Sequence, residues 1–308
     1  MARSPEHRTT FVVATDFSET AALAVEHAAD LARRRSARLV IVHGHSMATY
    51  WIGPANPLRI PPSYEAAILQ NARERIDALT NDLRAGGLDV EARLVSASGP
   101  EAVLHIAKEL DADLIVTGTR GHTGFKHLLL GSVAEEIVRT AHRPVLAIHP
   151  GDAVPDPGHL RILLPTDFSD DATAALEQAV ALLAGPGADC TLALVHMLHT
   201  PIMLAPVVGD MAMRAVFIEQ AREKALEGLE RIADALRKQG YSVETIVREG
   251  DPADGLAEIA SDKQSSLIAM GTRGLTGLKR IVHGSVADRT VRHARCPVLT
   301  VPREPTKS

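Results

Sequence analysis

Short apolar runs alternate with longer amphipathic stretches in the first half of the chain. The runs 11–15 and 38–43 predict strands, since compact apolar runs of this length are typical of buried strands, and 90–95 is a third predicted strand. An alanine-rich helix is predicted to about Arg35, with Ser18 as its cap. The stretch from Tyr64 to Ala85 predicts a second helix, because its apolar residues recur at helical spacing. A further helix (101–110), strand (113–117), helix (133–141) and strand (144–148) complete this half.

The second half repeats the same order of elements. We predict strands over 162–166, 191–196, 243–247, 266–270 and 297–301, and helices from about 169 to 184, 211 to 239, 253 to 261 and 286 to 294. The segments 44–62 and 197–209 vary between the halves and are too irregular to assign.

Regular alternation of strands and helices is typical of an α/β fold. It implies parallel strands joined by right-handed crossovers, with helices on both faces of each sheet. We therefore predict two doubly wound, Rossmann-like α/β domains. Ligands of such sheets bind beyond the carboxyl ends of the strands, where the strand order reverses.

A glycine motif occurs once in each half. Gly118-Thr-Arg-Gly121, nine further residues and Gly131-Ser132 reappear 153 residues later, as Gly271-Thr-Arg-Gly274 and Gly284-Ser285. This internal repeat predicts two domains, residues 1–150 and 158–308. The proline- and glycine-rich stretch 150–158 is the predicted linker.

The motif lies between a predicted strand and a predicted helix, which is a suitable place for a phosphate group. Glycines permit positive φ and close backbone approach, and a helix start offers unpaired N–H donors. Ser132 precedes Glu135 by three residues and Ser285 precedes Asp288 likewise, so each serine is also a predicted capping residue. Ordinary helix-start chemistry is the alternative. The motif is neither a Walker A loop nor Gly-x-Gly-x-x-Gly.

Composition narrows the function classes. With 23% charged residues and a net charge of -5, the chain lacks the basic footprint of nucleic-acid binders. The N-terminus lacks a signal peptide's apolar core, and Cys190 and Cys296 share no metal spacing, so we expect a cytoplasmic protein with two core cysteines. The 19 uncharged residues 191–209 contain prolines and histidines, so we expect a strand with an apolar loop and no membrane span or membrane partner.

Together these motifs resemble the universal stress proteins, two such domains in tandem. Thr-Asp-Phe-Ser follows the first strand of each half, the glycine motif follows the fourth, and Pro-Val-Leu lies in the last. The resemblance implies in each domain a five-stranded parallel sheet between helices, of the adenine nucleotide alpha hydrolase-like type. It also implies binding of ATP, with or without Mg²⁺, at one site per domain.

Carried over by position, the resemblance implies two matching sets of nucleotide contacts. The first comprises Ala14, Thr15, Asp16, Val42, Thr117, Gly118, Gly121, Gly131, Ser132 and Val133. The second comprises Pro165, Thr166, Asp167, Val195, Met270, Gly271, Gly274, Gly284, Ser285 and Val286. The first set departs from the family at Ala14, where proline is usual, and at Thr117, where a larger apolar residue is common. A turn carboxylate such as Asp16 or Asp167 is also a common local cap.

No metal site or catalytic group is predicted. The histidines 43, 45, 122 and 127 form no ligand set that recurs in both halves, so scattered surface histidines are expected. Ser132 lacks the Gly-x-Ser-x-Gly elbow and an identifiable base. The loop cations Arg120, Lys126, Arg273 and Lys279 are interpreted as solvated charges.

The leading hypothesis is an adenine-nucleotide binding protein of stress response or regulation. The alternatives are a slow ATPase or nucleotidyl-transferring enzyme of the same architecture, and an interaction protein that binds no nucleotide. We expect the two domains to form an intramolecular pseudo-dimer packed through their final strands, with homodimerisation left open. Tyr50, Trp51 and the methionines 197, 203, 211 and 213 suit contacts with an unknown regulatory protein partner, or they simply cover the sheet.

Overall fold

The computed structural model describes residues 8–46, 50–51, 57–58, 62–121, 130–155, 159–184, 189–199, 211–272 and 285–303. The chain divides into two compact units, residues 1–125 with 131–145, and residues 126–130 with 146–308.

The first unit is built on four parallel strands in the order β5, β2, β1, β6. Its elements are β1 (Thr10–Ala14), α1 (Glu19–Arg35), β2 (Arg38–Gly44), β3 (Tyr50–Trp51), β4 (Pro57–Leu58), α2 (Pro62–Ala85), β5 (Val90–Val95), α3 (Gly99–Glu109), β6 (Leu114–Gly118) and α4 (Ser132–Thr140). Pro144 accepts a hydrogen bond from Ile115 N (2.9 Å), which places the chain entering β7 (Val145–Ile148) beside β6. The short strands β3 and β4 form an antiparallel pair.

The second unit has five parallel strands in the order β10, β9, β8, β11, β12. Its elements are β8 (Leu160–Pro165), α5 (Asp170–Leu183), β9 (Cys190–Leu198), α6 (Met211–Lys238), β10 (Ser242–Glu249), α7 (Pro252–Asp262), β11 (Leu267–Gly271), α8 (Ser285–His293) and β12 (Val298–Val301). The predicted α/β class, with parallel strands and alternating helices, is confirmed.

Burial explains why the inner strands are mostly apolar, whereas the outer strands β5 and β10 are largely half-buried and carry charged residues. Helices cover the sheet, so β1 is buried along its entire length. In the first unit, Val12 and Val40 of the sheet belong to the same buried cluster as Ile106 of α3 and Ile137 of α4. Each such side chain contributes about 1.5 to 3 kcal/mol on leaving water. The strand order reverses between β1 and β6, so a crevice is expected at their carboxyl ends.

Most predicted elements agree with the structure to within one to three residues. The clearest extension is β9, which continues to Leu198 because it pairs with β10 as far as Glu249. Cys190 at its start is buried, as predicted, and Cys296 is half-buried.

Within the described ranges, no helix is long and apolar enough to cross a membrane. The side chains of Tyr50, Trp51, Met211 and Met213, and all of Met203, lie outside the described residues.

In the second unit, the chain after β7 carries a half-buried histidine. His149 Nδ1 lies 3.1 Å from Asp152 Oδ2, and Nε2 lies 2.7 Å from the carbonyl oxygen of Val291 in α8. Both partners only accept hydrogen bonds, so both ring nitrogens donate and the imidazole is charged. Burial lowers the pKa of His149, but Asp152 and the carbonyls of Val291 and Cys296 outweigh burial and raise this pKa above its ordinary value.

Candidate functional site

A tight turn follows β1 in the first unit. Phe17 N donates to Thr15 Oγ1 (3.1 Å), and Ser18 N donates to Asp16 Oδ1 (2.9 Å). These hydrogen bonds from backbone N–H groups to side-chain oxygens form a local turn, and they replace the backbone pairing that is lost where the strand ends. Ser18 then caps α1 by accepting a hydrogen bond from Ala21 N at 3.2 Å, as predicted. The sequence Thr-Asp-Phe-Ser therefore specifies its own turn and the start of the next helix.

The second unit repeats this turn after β8. Phe168 N donates to Thr166 Oγ1 (3.0 Å), and Ser169 N donates to Asp167 Oδ1 (3.0 Å). Ser169 caps α5 by accepting from Ala172 N at 3.1 Å. In each unit, one oxygen of the aspartate thus serves as a local cap.

The other carboxylate oxygen of Asp16 faces the glycine motif. A Cβ atom built on Gly121 would lie 2.5 Å from Asp16 Oδ2, closer than real side chains approach. A Cβ on Gly118 would lie 3.0 Å from the carbonyl oxygen of Thr20, in the first turn of α1. The turn after β1 and the loop after β6, about a hundred residues apart in sequence, therefore meet at one edge of the sheet, and glycine makes this approach possible.

Gly131 closes the glycine loop. Its N–H donates to the carbonyl oxygen of Thr119 (2.8 Å), and a Cβ there would lie 3.1 Å from the same oxygen. Residues 122–129 lie outside the described residues. Gly118, Gly121 and Gly131 do not adopt positive φ, so that part of the prediction is wrong. Atoms of the protein itself lie close to these glycines, namely the carbonyl oxygens of Thr20 and Thr119 and the Asp16 carboxylate, while the approach of a ligand stays a prediction.

The predicted capping role of Ser132 is also wrong. The N-cap of α4 is Gly131, in extended conformation at φ -61° and ψ 145°, and Ser132 is the first helical residue. No side-chain cap bond is formed at this end of the helix. In the second unit, Ser285 is likewise the first residue of α8, while Gly284 lies outside the described residues. Within the described part of the chain, the Ser132 hydroxyl therefore caps no helix.

The other predicted contacts in strands lie beneath this edge. Ala14 is paired with Val42, and Thr117 follows Val116, which is paired with Val13. All three predicted residues are buried. The Val42 carbonyl also accepts a hydrogen bond from Thr15 N (2.9 Å), so this residue supports the turn and faces the core.

Val133, by contrast, is exposed at the start of α4, and its methyl groups would lie 3.4 to 3.5 Å from a Cβ on Gly99 of α3. The exposed part of the first site is therefore formed by the ends of β1 and β6 and by the start of α4.

The second site is described only in part. Pro165 is paired with Val195, and Thr166 N donates to the Val195 carbonyl (2.8 Å), as in the first unit. Met270 is buried, as Thr117 is, and Gly271 ends β11. The remaining predicted residues are Asp167, Ser285 and Val286, which are described, and Gly274 and Gly284, which lie outside the described residues.

The strand next to each turn ends differently in the two units. A Cβ on Gly44 would lie 2.9 Å from Gly99 Cα and 3.0 Å from Ala102 Cβ, so β2 packs closely on α3. Met197 holds the corresponding place in β9, and its Cε would lie 2.2 Å from a Cβ on Gly255 of α7. In the first unit, glycine in the strand (Gly44) thus packs against alanine in the helix (Ala102). In the second unit, methionine in the strand (Met197) packs against glycine in the helix (Gly255). The sequence shows the repeat at 153 residues, but it does not show that a larger residue in the strand is matched by a smaller residue in the helix.

The electrostatics of the first site favour an anion next to a carboxylate. The first turn of α4 presents backbone N–H groups without helical partners, and the helix dipole is positive at this end. Glu135 also lies in that first turn, so the site is not uniformly positive. Among the described residues, no group of three histidines, cysteines or carboxylates is placed to hold a metal ion. The histidines 122 and 127 lie outside these residues.

From the sequence, His43 was interpreted as a scattered surface histidine, and no role was predicted for His196. The structure places both rings against the turns. His43 Nδ1 lies 2.8 Å from the Thr15 carbonyl oxygen, and His196 Nδ1 lies 2.8 Å from that of Thr166. Their recurrence at the ends of the second strands, 153 residues apart, was the available signal.

These features define a doubly wound α/β protein in which a turn carboxylate and a glycine loop meet at the carboxyl edge of the sheet. The profile of the Universal stress protein family matches residues 7–149 and again residues 159–302. The chain belongs to this family and contains two of its domains in tandem.

Similar proteins agree with this assignment. The chain is 29% identical to Universal stress protein Rv2623 of Mycobacterium tuberculosis over 299 residues, which cover 94% of each chain. It is 33% identical over 147 residues to Universal stress protein MJ0531 of Methanocaldococcus jannaschii, covering 48% of this chain and 84% of the relative. A universal stress protein structure from Archaeoglobus fulgidus shares the fold, with a TM-score of 0.70 and 19% identity over 96% of this chain and 98% of its own.

Proposed function

We propose that this protein binds an adenine nucleotide, ATP, at the carboxyl edge of each domain's sheet and acts in stress response or its regulation. The observation that carries the proposal is the contact between the two motifs in the first unit. The Asp16 carboxylate approaches Gly121 so closely that a Cβ there would lie 2.5 Å from Oδ2, and any side chain would displace the carboxylate. The carboxylate is then available for hydroxyl groups of the nucleotide. The glycine loop at the start of the helix lies beside it and is available for the phosphates.

The choice of nucleotide rests on both the geometry and the resemblance. Backbone N–H groups at the start of α4 suit phosphate oxygens. Asp16 and Asp167 suit the ribose hydroxyls, which donate hydrogen bonds that a carboxylate accepts. The preference for adenine rests on the family motifs and on the small and apolar residues carried over with them.

Mg²⁺ fits this site only together with the phosphates. The described residues offer one turn carboxylate per site and no cluster of three metal-binding side chains. Because Mg²⁺ often keeps several waters and binds through one or two carboxylates plus substrate phosphates, Asp16 or Asp167 would supply the only carboxylate of the predicted contacts. The protein's own contribution would be to orient the phosphates at the helix start.

Two measurements test the proposal. Freshly purified protein is denatured, and the released small molecules are identified by mass. In parallel, protein freed of ligand is titrated with ATP by calorimetry, with and without Mg²⁺. We expect an adenine nucleotide in the released fraction and about two binding sites per chain. Absence of binding to ATP, ADP, AMP and cyclic AMP would contradict the proposal.

Asparagine variants provide a matched control at each site. Asp16→Asn and Asp167→Asn preserve the turns, because the amide keeps one oxygen that accepts the local hydrogen bond from the serine N–H. The second polar atom of the amide donates and cannot accept, so a ribose hydroxyl loses its partner. Loss of a hydrogen bond to a charged group costs about 1.5 to 3 kcal/mol. Each variant should therefore weaken one of the two sites and leave the other unchanged.

A further inference from the structure

Each Thr-Asp-Phe-Ser turn places a phenylalanine in a conformation that side chains rarely adopt. Phe17 has φ 63° and Phe168 has φ 65°. This left-handed region is unfavourable for a residue with a bulky side chain, and it is usually occupied by glycine or asparagine. The same outlier at the same motif in both units indicates that neighbouring groups impose it.

A histidine from the next strand holds each turn from one side. His43 Nδ1 lies 2.8 Å from the Thr15 carbonyl oxygen, and the His43 and Phe17 ring centroids are 4.7 Å apart. The second unit repeats this contact between His196 and Thr166 at 2.8 Å, with ring centroids 4.5 Å apart. A carbonyl oxygen only accepts, so Nδ1 carries the proton in both rings.

The long helix of each unit also contacts the phenylalanine, but with different chemistry. In the first unit, the Arg75 guanidinium of α2 lies 4.4 Å from the Phe17 ring centroid, and Arg75 Nη2 donates to the Phe17 carbonyl (3.3 Å). In the second unit, α6 presents Gly228, where a Cβ would lie only 2.8 Å from Phe168 Cε1. Two unrelated contacts thus achieve the same result, which is a phenylalanine held between its histidine and a helix.

The consequence concerns the residue just before the phenylalanine. The left-handed Phe17 turns the chain so that Ser18 N reaches Asp16 Oδ1, while Asp16 Oδ2 faces Gly121. We propose that His43 with Phe17, and His196 with Phe168, are positioning residues that aim Asp16 and Asp167 at the bound nucleotide. This inference rests on the proposed function and names the groups that prepare its carboxylates.

The test compares His43→Leu with His43→Asn by site-resolved ATP calorimetry. Leucine removes the donor to Thr15, whereas asparagine keeps a nitrogen donor close to the position of Nδ1. We expect the leucine variant to weaken the first site about tenfold, as the loss of one partly buried hydrogen bond implies, and the asparagine variant to remain within about threefold of wild type. The second site, with His196 intact, serves as the internal reference.

A second variant keeps the test valid if His43→Leu folds poorly. Phe17→Gly adopts positive φ without strain, so the turn is retained while the ring contact is lost. We expect a melting temperature close to that of wild type and weaker binding at the first site. Unchanged affinity in either the leucine or the glycine variant, with wild type binding normally, would overturn the positioning role. If wild type binds no nucleotide, the proposed function itself is wrong.

Discussion

The contact between Asp16 and Gly121 predicts that Gly121→Ala disables one site while the protein stays folded. The new Cβ would lie 2.5 Å from Asp16 Oδ2, and Gly121 does not adopt positive φ, so alanine adds no backbone strain. The carboxylate must rotate away, since a side chain yields more easily than backbone. Losing its bond to Ser18 N (2.9 Å) would lower the free energy of unfolding by about 1 to 2 kcal/mol.

The effect on binding should be larger and confined to the first site. A displaced Asp16 no longer accepts a hydrogen bond from the nucleotide, which costs about 1.5 to 3 kcal/mol, or roughly tenfold to a hundredfold in affinity. Calorimetric titration with ATP should then show one site of normal affinity and one weakened site. Urea unfolding of the same samples reports the change in stability.

Gly87→Ala is the matched control. Gly87 has φ +83° and nothing within 4 Å of its built Cβ, so alanine there adds strain without a steric clash. That variant should lose about 1 kcal/mol of stability and keep both binding sites. It therefore separates a general loss of stability from a loss of the site.

A double-mutant cycle tests whether the effect passes through the carboxylate. In an Asp16→Ala background the clash is absent, so Gly121→Ala should cost almost nothing further in binding. Additive losses of affinity would show that Gly121 acts by another route. If Gly121→Ala alone binds two nucleotides with wild-type affinity, the carboxylate and the loop do not form one site.

Three further outcomes are expected. Ser132→Ala should leave the free energy of unfolding within about 0.5 kcal/mol of wild type but weaken ATP binding about fivefold. Ser18→Ala removes a helix cap and should lower the free energy of unfolding in urea by about 1 kcal/mol. Equal destabilisation by the two substitutions would contradict this difference. Because the pKa of His149 is raised in the folded state, its hydrogen bond to Asp152 contributes its full stabilisation below about pH 6.5, the pKa of histidine in the unfolded chain. This stabilisation is lost as the pH rises through the pKa of His149 in the folded state. The difference in unfolding free energy between wild type and His149→Gln should shrink accordingly from pH 6 upward, and a constant difference would refute it. Gly44→Ala would place a Cβ 2.9 Å from Gly99 Cα of α3 and from the Ser98 carbonyl oxygen, so the free energy of unfolding should fall by about 1 to 3 kcal/mol. Thermal melting measures this loss, and an unchanged melting curve would contradict the close packing.

Much of the fold could be predicted because its signals are local. Apolar runs of strand length and helical spacing depend only on neighbours in sequence, and they placed the main strands and helices to within a few residues. Ser18 was correctly predicted to cap α1 because a cap needs only the next three residues. The internal repeat then supplied the two-domain arrangement, which the family match supports.

The candidate site was predictable only in outline. Parallel strands bring the ends of β1 and β6 to the same edge, so the proximity of Asp16 and the glycine loop followed from topology. Whether the carboxylate touched the loop, and at which glycine, depends on how far each chain extends past its strand. That distance is set by packing between residues about a hundred positions apart, which no local pattern reports.

Backbone conformation at the site was decided by the tertiary structure. The sequence alone suggested positive φ at glycines and a cap at Ser132, since those residue types favour such roles. In the structure, Phe17 takes the left-handed conformation and Gly131 is the N-cap in an extended one. The cause is contact: His43 from β2 and Arg75 from α2 hold the Phe17 turn, and Thr119 accepts the Gly131 N–H. Sequence determined which elements form and which ends converge, while packing between distant elements decided the conformation of each residue there.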